Sequence, residues 1–392
     1  MWFAVVHSDN HHKCGHVERP DRLLAAHQGL KDAAAECHIK LKAPTEIDNT
    51  LVDVNTGTLS WELVGKVHNY RSKLEEAAAT STASNPITVA DEGDVDGVTY
   101  ISGQASIQGA LQAAGAAVAV TASVIQTSKL QNLKTDKSKK KVENKTKHCG
   151  LCLVRPPGHH ATSTTPLGFC LLNNVAIAVK YYQQHNPGKK VMILDFDVHH
   201  GNGTAEIFRD DPTVLFVDIH EESAVYSSPP HVATDIHETG AHKNAINILL
   251  PKHSGQSCVL AVLEGIIQPA ATAFQPNIIF ASAGLDAHWR DPFGLLQYQS
   301  STYWHFGNFL RKLSLKLCNG QLVAVLEGGY DEKGIEEAVY ELSCGLGGKR
   351  MAGKGRGDKR PHPEPLVQVQ ALVKQIQKIH GIEIDTKGCK MM

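Results

Sequence analysis

The sequence predicts a single-domain α/β fold with a mostly parallel sheet flanked by helices on both faces. Three observations carry this expectation. Short apolar runs, WFAVV, LCLV, VMIL, VLFV, INILL, NIIFA and LVAVL, recur along the 392 residues. Their hydrophobicity is nearly continuous rather than alternating, as in strands covered on both sides. Longer stretches with helical spacing separate them, and strand alternating with helix implies parallel pairing.

Taken in order, WFAVV opens the sheet and Arg19 to Ala35 has the spacing of a first helix. Gly103 to Ile125 follows as a second, and residues 127 to 149 are lysine-rich and poor in apolar side chains, so they are expected to loop through solvent before LCLV. Asn173 to Gln184 separates LCLV from VMIL, VLFV and INILL follow, Val259 to Phe274 precedes NIIFA, and Tyr303 to Leu317 precedes LVAVL. No repeat of fixed period emerges, so residues 1–349 are expected to form one domain. Residues 350–363 (RMAGKGRGDKRPHP) have linker composition, and within residues 364–392 Leu366, Val369, Leu372, Val373, Ile376 and Ile379 fall on one helical face expected to pack back on the domain.

Composition excludes several classes of function. Lysine and arginine total 39 against 40 acidic residues, so no global field draws the chain to nucleic acid or an anionic membrane. The opening residues lack the basic region and cleavage site of a secretion signal, and no later segment is expected to approach a membrane-spanning length. Nine cysteines are scattered and odd in number, which suits reduced thiols and a soluble, unsecreted protein of the cytoplasm or nucleus. Cys149 and Cys152 form a C-x-x-C without a second pair, and are expected to be one loop thiol and one strand thiol.

In a parallel sheet, ligands bind beyond the carboxyl ends of the strands. VMIL runs into Asp195, Asp197 and His199, which alternation would place on one face. NIIFA runs into Asp286. Two carboxylates and an imidazole suit zinc and leave a coordination position open for water and substrate, as in a catalytic metal site. LCLV ends in Arg155-Pro156-Pro157-Gly158-His159-His160, a rigid turn that directs a histidine pair, and LVAVL ends in Glu327-Gly328-Gly329-Tyr330, a tight turn that presents a phenol.

These segments, with Gly168-Phe169-Cys170, Asn202-Gly203-Thr204 and Gly15-His16-Val17-Glu18-Arg19-Pro20-Asp21-Arg22, closely resemble the histone deacetylase family in order and spacing, from His7 to about Gly347. The wording is nearest to class II and bacterial members. The resemblance implies the arginase/deacetylase fold and makes Asp197, His199 and Asp286 the ligands of one zinc ion, His159 and His160 the catalytic histidines, and Tyr330 the oxyanion donor. It further implies that Asp195 orients His159 and, with Asp218, helps hold a structural potassium ion. Asn202, an aspartate in class I, would orient His160 with less charge stabilisation. Gly168, Phe169 and Tyr226 would line the substrate tunnel, with Arg22 deeper, near the acetate product. The chain departs from many relatives at Asp218-Ile219-His220, where they have serine first, and at Tyr226-Ser227-Ser228-Pro229, where they often show Phe-Pro-Gly.

The activity so implied is hydrolysis of an acyl-lysine amide in histones or other proteins, with zinc acidifying water, His160 moving the proton and Tyr330 stabilising the oxyanion. Two other readings stay open: a deacylase of small amines such as acetylpolyamines, and a non-catalytic acyl-lysine binder. In the polyamine-directed branch of the family a glutamate follows Asp-Pro near the tunnel mouth. Here Asp291-Pro292 is followed by Phe293, which favours peptide substrates. Oligomeric state is not legible.

Overall fold

The apolar runs assemble into one sheet. The computed structural model describes residues 1–5, 16–44, 52, 58–89, 99–135, 149–222, 235–352 and 362–383. Its strands are β1 (Trp2–Val5), β2 (Ile87–Thr88), β3 (Tyr100–Ile101), β4 (Cys149–Leu153), β5 (Val191–Asp195), β6 (Val214–Glu221), β7 (Ala245–Leu250), β8 (Ile278–Ala283) and β9 (Leu322–Leu326). β2 and β3 form a small antiparallel pair, and the other strands make a seven-stranded sheet in the order β1-β4-β9-β8-β5-β6-β7. Every neighbouring pair in that sheet is parallel. The chain passes from β4 to β5 across two vacant positions, runs outward to β7, then returns to fill the gap with β8 and β9. Crossings of this kind leave a crevice at the carboxyl edge.

The helices are α1 (Asp21–Glu36), α2 (Trp61–Val64), α3 (Arg71–Thr80), α4 (Gln104–Thr135), α5 (Asn174–His185), α6 (Asn202–Phe208), α7 (Gln256–Val262), α8 (Gln268–Phe274), α9 (Ser300–Leu317), α10 (Glu332–Leu346) and α11 (Leu366–His380), with a π-helical turn at Leu263–Ile267. Helices α1 and α7 to α11 pack on one face of the sheet, against Met192, Leu194, Ile279 and Ala281. Helices α2 to α6 pack on the other, against Val191, Ile193, Ile278 and Phe280. Consecutive strand residues thus enter opposite cores, which is why the runs read as continuously apolar. Each such side chain contributes about 1.5–3 kcal/mol when fully buried. Side-chain caps start two helices that follow site loops: Asn173 accepts from Ala176 N at 2.9 Å and Asp331 from Gly334 N at 2.7 Å.

Three expectations need correction. The lysine-rich stretch does not begin as a loop, because α4 continues to Thr135 before residues 136–148, which lie outside the described residues. Cys149 and Cys152 both lie on β4, three apart on a strand and therefore in opposite cores, too far across the sheet to act as a pair. Two segments, Gln104–Ser128 and Gln256–Phe274, are long and apolar enough to cross a membrane by length and composition, although 83% of the first window is buried inside the fold. Their apolarity is explained by packing on a sheet that needs cover on both faces. At the far end, α11 places Val369, Val373 and Ile376 in the core beside α7 and the π-turn, while residues 353–361 of the expected linker lie outside the described residues.

Candidate active site

The carboxyl edge of β4, β9, β8 and β5 carries the site. Strand β5 ends at Asp195, so alternation covers only the first of the three residues expected to share a face. Loop hydrogen bonds do the rest. Asp197 N donates to Asp195 Oδ1 (3.1 Å), His199 N to Asp197 Oδ1 (3.0 Å) and Gly328 N to Asp197 Oδ2 (2.9 Å). Val198 N donates to Asp286 Oδ1 (3.0 Å), which ties the loop after β5 to the loop after β8. Asp197, His199 and Asp286 thereby bring ligand atoms to within 4.8 Å of one another, all buried.

This donor set fits a divalent cation. Asp286 Oδ2 is buried without a hydrogen bond of good geometry, and His199 Nδ1 stands 3.3 Å from it. Two buried carboxylates side by side carry surplus negative charge that is costly without a counter-charge. The surplus registers on the neighbours. Burial alone would lower the His199 ring, yet Asp197 and Asp286 raise its pKa to about 10. Burial raises Asp286, and the Asp197 charge adds to it. A cation in this position would relieve both.

Beside it stand the two histidines from the β4 loop. His159 Nδ1 lies 3.1 Å from Asp195 Oδ2, and its Nε2 is 3.8 Å from Asp197 Oδ2. Burial opposes charge on that ring, but the Asp197 and Asp195 carboxylates outweigh it and hold its pKa well above the ordinary histidine value. His160 goes the other way. Burial first, then the charges of His159 and His199, push it well below that value. Its Nδ1 faces Asn202 Oδ1 at 2.6 Å. With that oxygen as acceptor, Nδ1 carries the proton and Nε2 is left as a base.

Tyr330 follows β9, half-buried. Its ring is met edge-on by Phe169 (5.6 Å between centroids) and Phe293 (4.9 Å), and the Arg22 guanidinium stands 4.7 Å over it. Arg22 is buried and donates to the carbonyls of Gly329 and Glu327, each at 2.5 Å, and to Glu18 Oε1 at 2.9 Å. Phe293 is 43% exposed, so it is displayed to solvent beside Tyr330 rather than packed inward. Gly168 has φ +54°, and a Cβ there would collide with the His160 ring. Gly168→Ala is expected to cost roughly 1–3 kcal/mol of stability through strain and overlap. It should also lower kcat by displacing His160, which a thermal melt and a rate assay on the same preparation would check.

Other expectations fare differently. Tyr226 lies outside the described residues. Asp218 pairs with Asp195 in the β5–β6 register, but the potassium expected between them gains no support. Asp218 already accepts from Gly201 N (2.8 Å) and faces His220 Nδ1 (2.9 Å), as Asp195 accepts from Asp197 N and faces His159. Sequence reasoning missed Glu327 as a support. Its Oε2 accepts from Gly158 N (2.6 Å) and His159 N (3.2 Å), and Oε1 from Ser282 Oγ (3.1 Å), so one buried carboxylate fastens the histidine loop to β9. A charged residue directly after an apolar strand was the available signal.

A crevice of this kind, with a cation-seeking donor set beside two histidines on a parallel sheet, belongs to the arginase/deacetylase class of α/β folds. Known proteins narrow the class. Residues 16–346 match the histone deacetylase domain family. Histone deacetylase 14, chloroplastic, of Arabidopsis thaliana is 34% identical over 329 residues, which cover 83% of this chain and 73% of that one. Histone deacetylase 10, chloroplastic, of Oryza sativa subsp. japonica is 31% identical over 376 residues, covering 95% and 79%. The crystal structure of the HDA15 HD domain superposes with a TM-score of 0.70 at 26% identity, covering 96% of this chain and 94% of that one. The chain belongs to the histone deacetylase family.

Proposed function

We propose that this protein is a zinc-dependent hydrolase that removes acyl groups, acetyl first among them, from the ε-amino group of lysine in proteins, histones included. The observation that carries the reading is the convergence of Asp197, His199 and Asp286 with a neutral His160 and with Tyr330 on one sheet edge. Asp197, His199 and Asp286 would hold the zinc ion, a donor set with both oxygen and nitrogen and with room for further ligands. When bound, zinc supplies Lewis acidity toward an amide carbonyl and toward water.

The chain's own groups then divide the proton work. His160, kept neutral by burial and oriented by Asn202, accepts a proton at Nε2 and returns it to the departing lysine amine. His159 is oriented by Asp195, whose carboxylate faces its Nδ1 at 3.1 Å and favours charge on the ring. Tyr330 donates its hydroxyl to the oxygen on which charge develops. Phe169, at the Gly168 turn, walls the path of the neutral acyl-lysine, and Arg22 lies on the acetate side, beneath the Tyr330 ring. The sequence expectation of cytoplasm or nucleus now stands beside the plastid named for both plant relatives. Imaging of a fluorescent fusion separates these compartments.

The deciding experiment compares kcat/KM of zinc-loaded protein on an acetyl-lysine peptide, longer acyl-lysines and an acetylpolyamine. The acetyl-lysine peptide is expected to be preferred, because Phe293 at the rim offers a cationic substrate no carboxylate. Phe293→Glu should move the ratio toward the polyamine by roughly fivefold, the reach of an exposed ion pair. A wild-type preference for the polyamine overturns the lysine reading, and absence of turnover in zinc-loaded protein favours a binder. An unchanged ratio in folded Phe293→Glu removes that residue from the selectivity argument.

A further inference from the structure

The loop that carries Tyr330 has no strand or helix of its own to hold it: β9 ends at Leu326 and α10 begins at Glu332. Between them Gly329 takes φ +118°, which a side chain would resist; Arg22 holds the Gly329 and Glu327 carbonyls and Asp197 accepts from Gly328 N, which leaves the Tyr330 end of the turn to be fixed. What fixes it comes from elsewhere in the chain. Asp291, 93% buried by its 7% relative exposure, points its carboxylate at this turn. Its Oδ2 accepts from Tyr330 N at 2.6 Å and from Asp331 N at 3.2 Å. Its Oδ1 accepts from Phe293 N at 3.1 Å. One carboxylate therefore grips the backbone of the tyrosine with one oxygen and that of the rim phenylalanine with the other. The two rings it positions meet edge-on at 4.9 Å. Asp291 is itself anchored, because its N–H donates to His288 O at 2.8 Å in the loop that follows Asp286.

From this geometry we infer that Asp291 is a positioning residue for the reaction: it sets where the Tyr330 hydroxyl stands relative to the metal-ligand loop and couples that placement to the rim. The inference rests on the reading of Tyr330 as oxyanion donor. A carboxylate is required because only it accepts on both oxygens. An asparagine of the same size presents one acceptor and one donor, so it must release either the Tyr330–Asp331 side or the Phe293 side. Asp291 is not among the metal ligands and holds backbone on both the Tyr330 side and the rim side, so the part of its effect that passes through the Tyr330 hydroxyl is the part a Tyr330→Phe background removes. Small displacements of a preorganised donor are costly to rate while leaving binding intact.

The test is a double-mutant cycle on full-length, zinc-loaded protein with an acetyl-lysine peptide. Asp291→Asn is expected to lower kcat roughly tenfold to a hundredfold with KM within about threefold. Zinc content, measured by elemental analysis, should be unchanged. In a Tyr330→Phe background the same change should cost less than about twofold, since the hydroxyl it positions is already gone. An undiminished kcat in Asp291→Asn, or an equal loss with and without the tyrosine hydroxyl, overturns the inference and marks Asp291 as a general stabiliser. Wild-type turnover in Tyr330→Phe alone overturns the oxyanion reading and this inference with it, whereas a slow Tyr330→Phe beside a fast Asp291→Asn overturns only the latter. Asp291→Ser provides a second variant that keeps one acceptor. If neither variant yields folded protein, the carboxylate is a folding element and the inference fails.

Discussion

Stripping zinc from the protein with a strong chelator is expected to abolish deacylation, and restoring zinc to recover it. His199→Ala and Asp286→Ala should each reduce metal content together with rate, because a site of three protein ligands loses a third of its donors with either change. The expected fall in kcat/KM is at least roughly a thousandfold, given that zinc brings the pKa of water from about 15.7 to about 7. A second readout does not depend on activity. Added zinc should raise the melting temperature of the wild type, by mass action worth about 2.7 kcal/mol at a hundredfold excess over Kd. The two variants should show little of that shift. The Asp286 carboxylate also receives the Val198 N–H at 3.0 Å, so its removal loosens the loop after β5, and His199→Ala is the cleaner comparison. Full activity in protein shown to be metal-free would end the zinc reading.

Much of the architecture is legible because burial on both faces writes itself into sequence as continuous apolarity. Met192 and Leu194 enter one core while Val191 and Ile193 enter the other, so no polar residue interrupts the run. The site is legible for a related reason: polar residues that directly follow such runs stand at the carboxyl edge. Interactions that join distant segments through backbone groups are not legible. Glu327 binds the amides of Gly158 and His159, and Asp291 those of Tyr330 and Asp331, and an amide N–H carries no sequence signature. The same limit explains why Asp195, Asp197 and His199 converge although the strand ends at the first of them. Orientation on loops is equally hidden. Phe293 could have packed inward on residue type alone, and only the turn after Asp291 displays it. The lysine-rich segment misled for a further reason: α4 is anchored by a long apolar stretch from Ile107 to Ile125, and a helix already nucleated extends through residues whose own propensity is adequate.

Tyr330→Phe is expected to lower kcat by roughly a hundredfold or more, the cost of one oxyanion donor, about 3 kcal/mol in the transition state. KM and zinc content should stay near the wild-type values, because the substitution removes one hydroxyl and leaves the ring. That ring is held by contacts that do not involve the oxygen: Phe169 and Phe293 meet its faces and edges, and the Arg22 guanidinium stands over it at 4.7 Å. Its backbone is held separately by Asp291. Folding and the shape of the substrate path should therefore survive, so that a change in rate reports on the hydroxyl and not on packing. A fall in kcat and kcat/KM by the same factor indicates an interaction made only in the transition state. A rise in KM at constant kcat would instead mean that the hydroxyl binds substrate without favouring the transition state. Undiminished turnover would make Tyr330 a packing residue, and the stabilising donor would have to be sought elsewhere on the sheet edge.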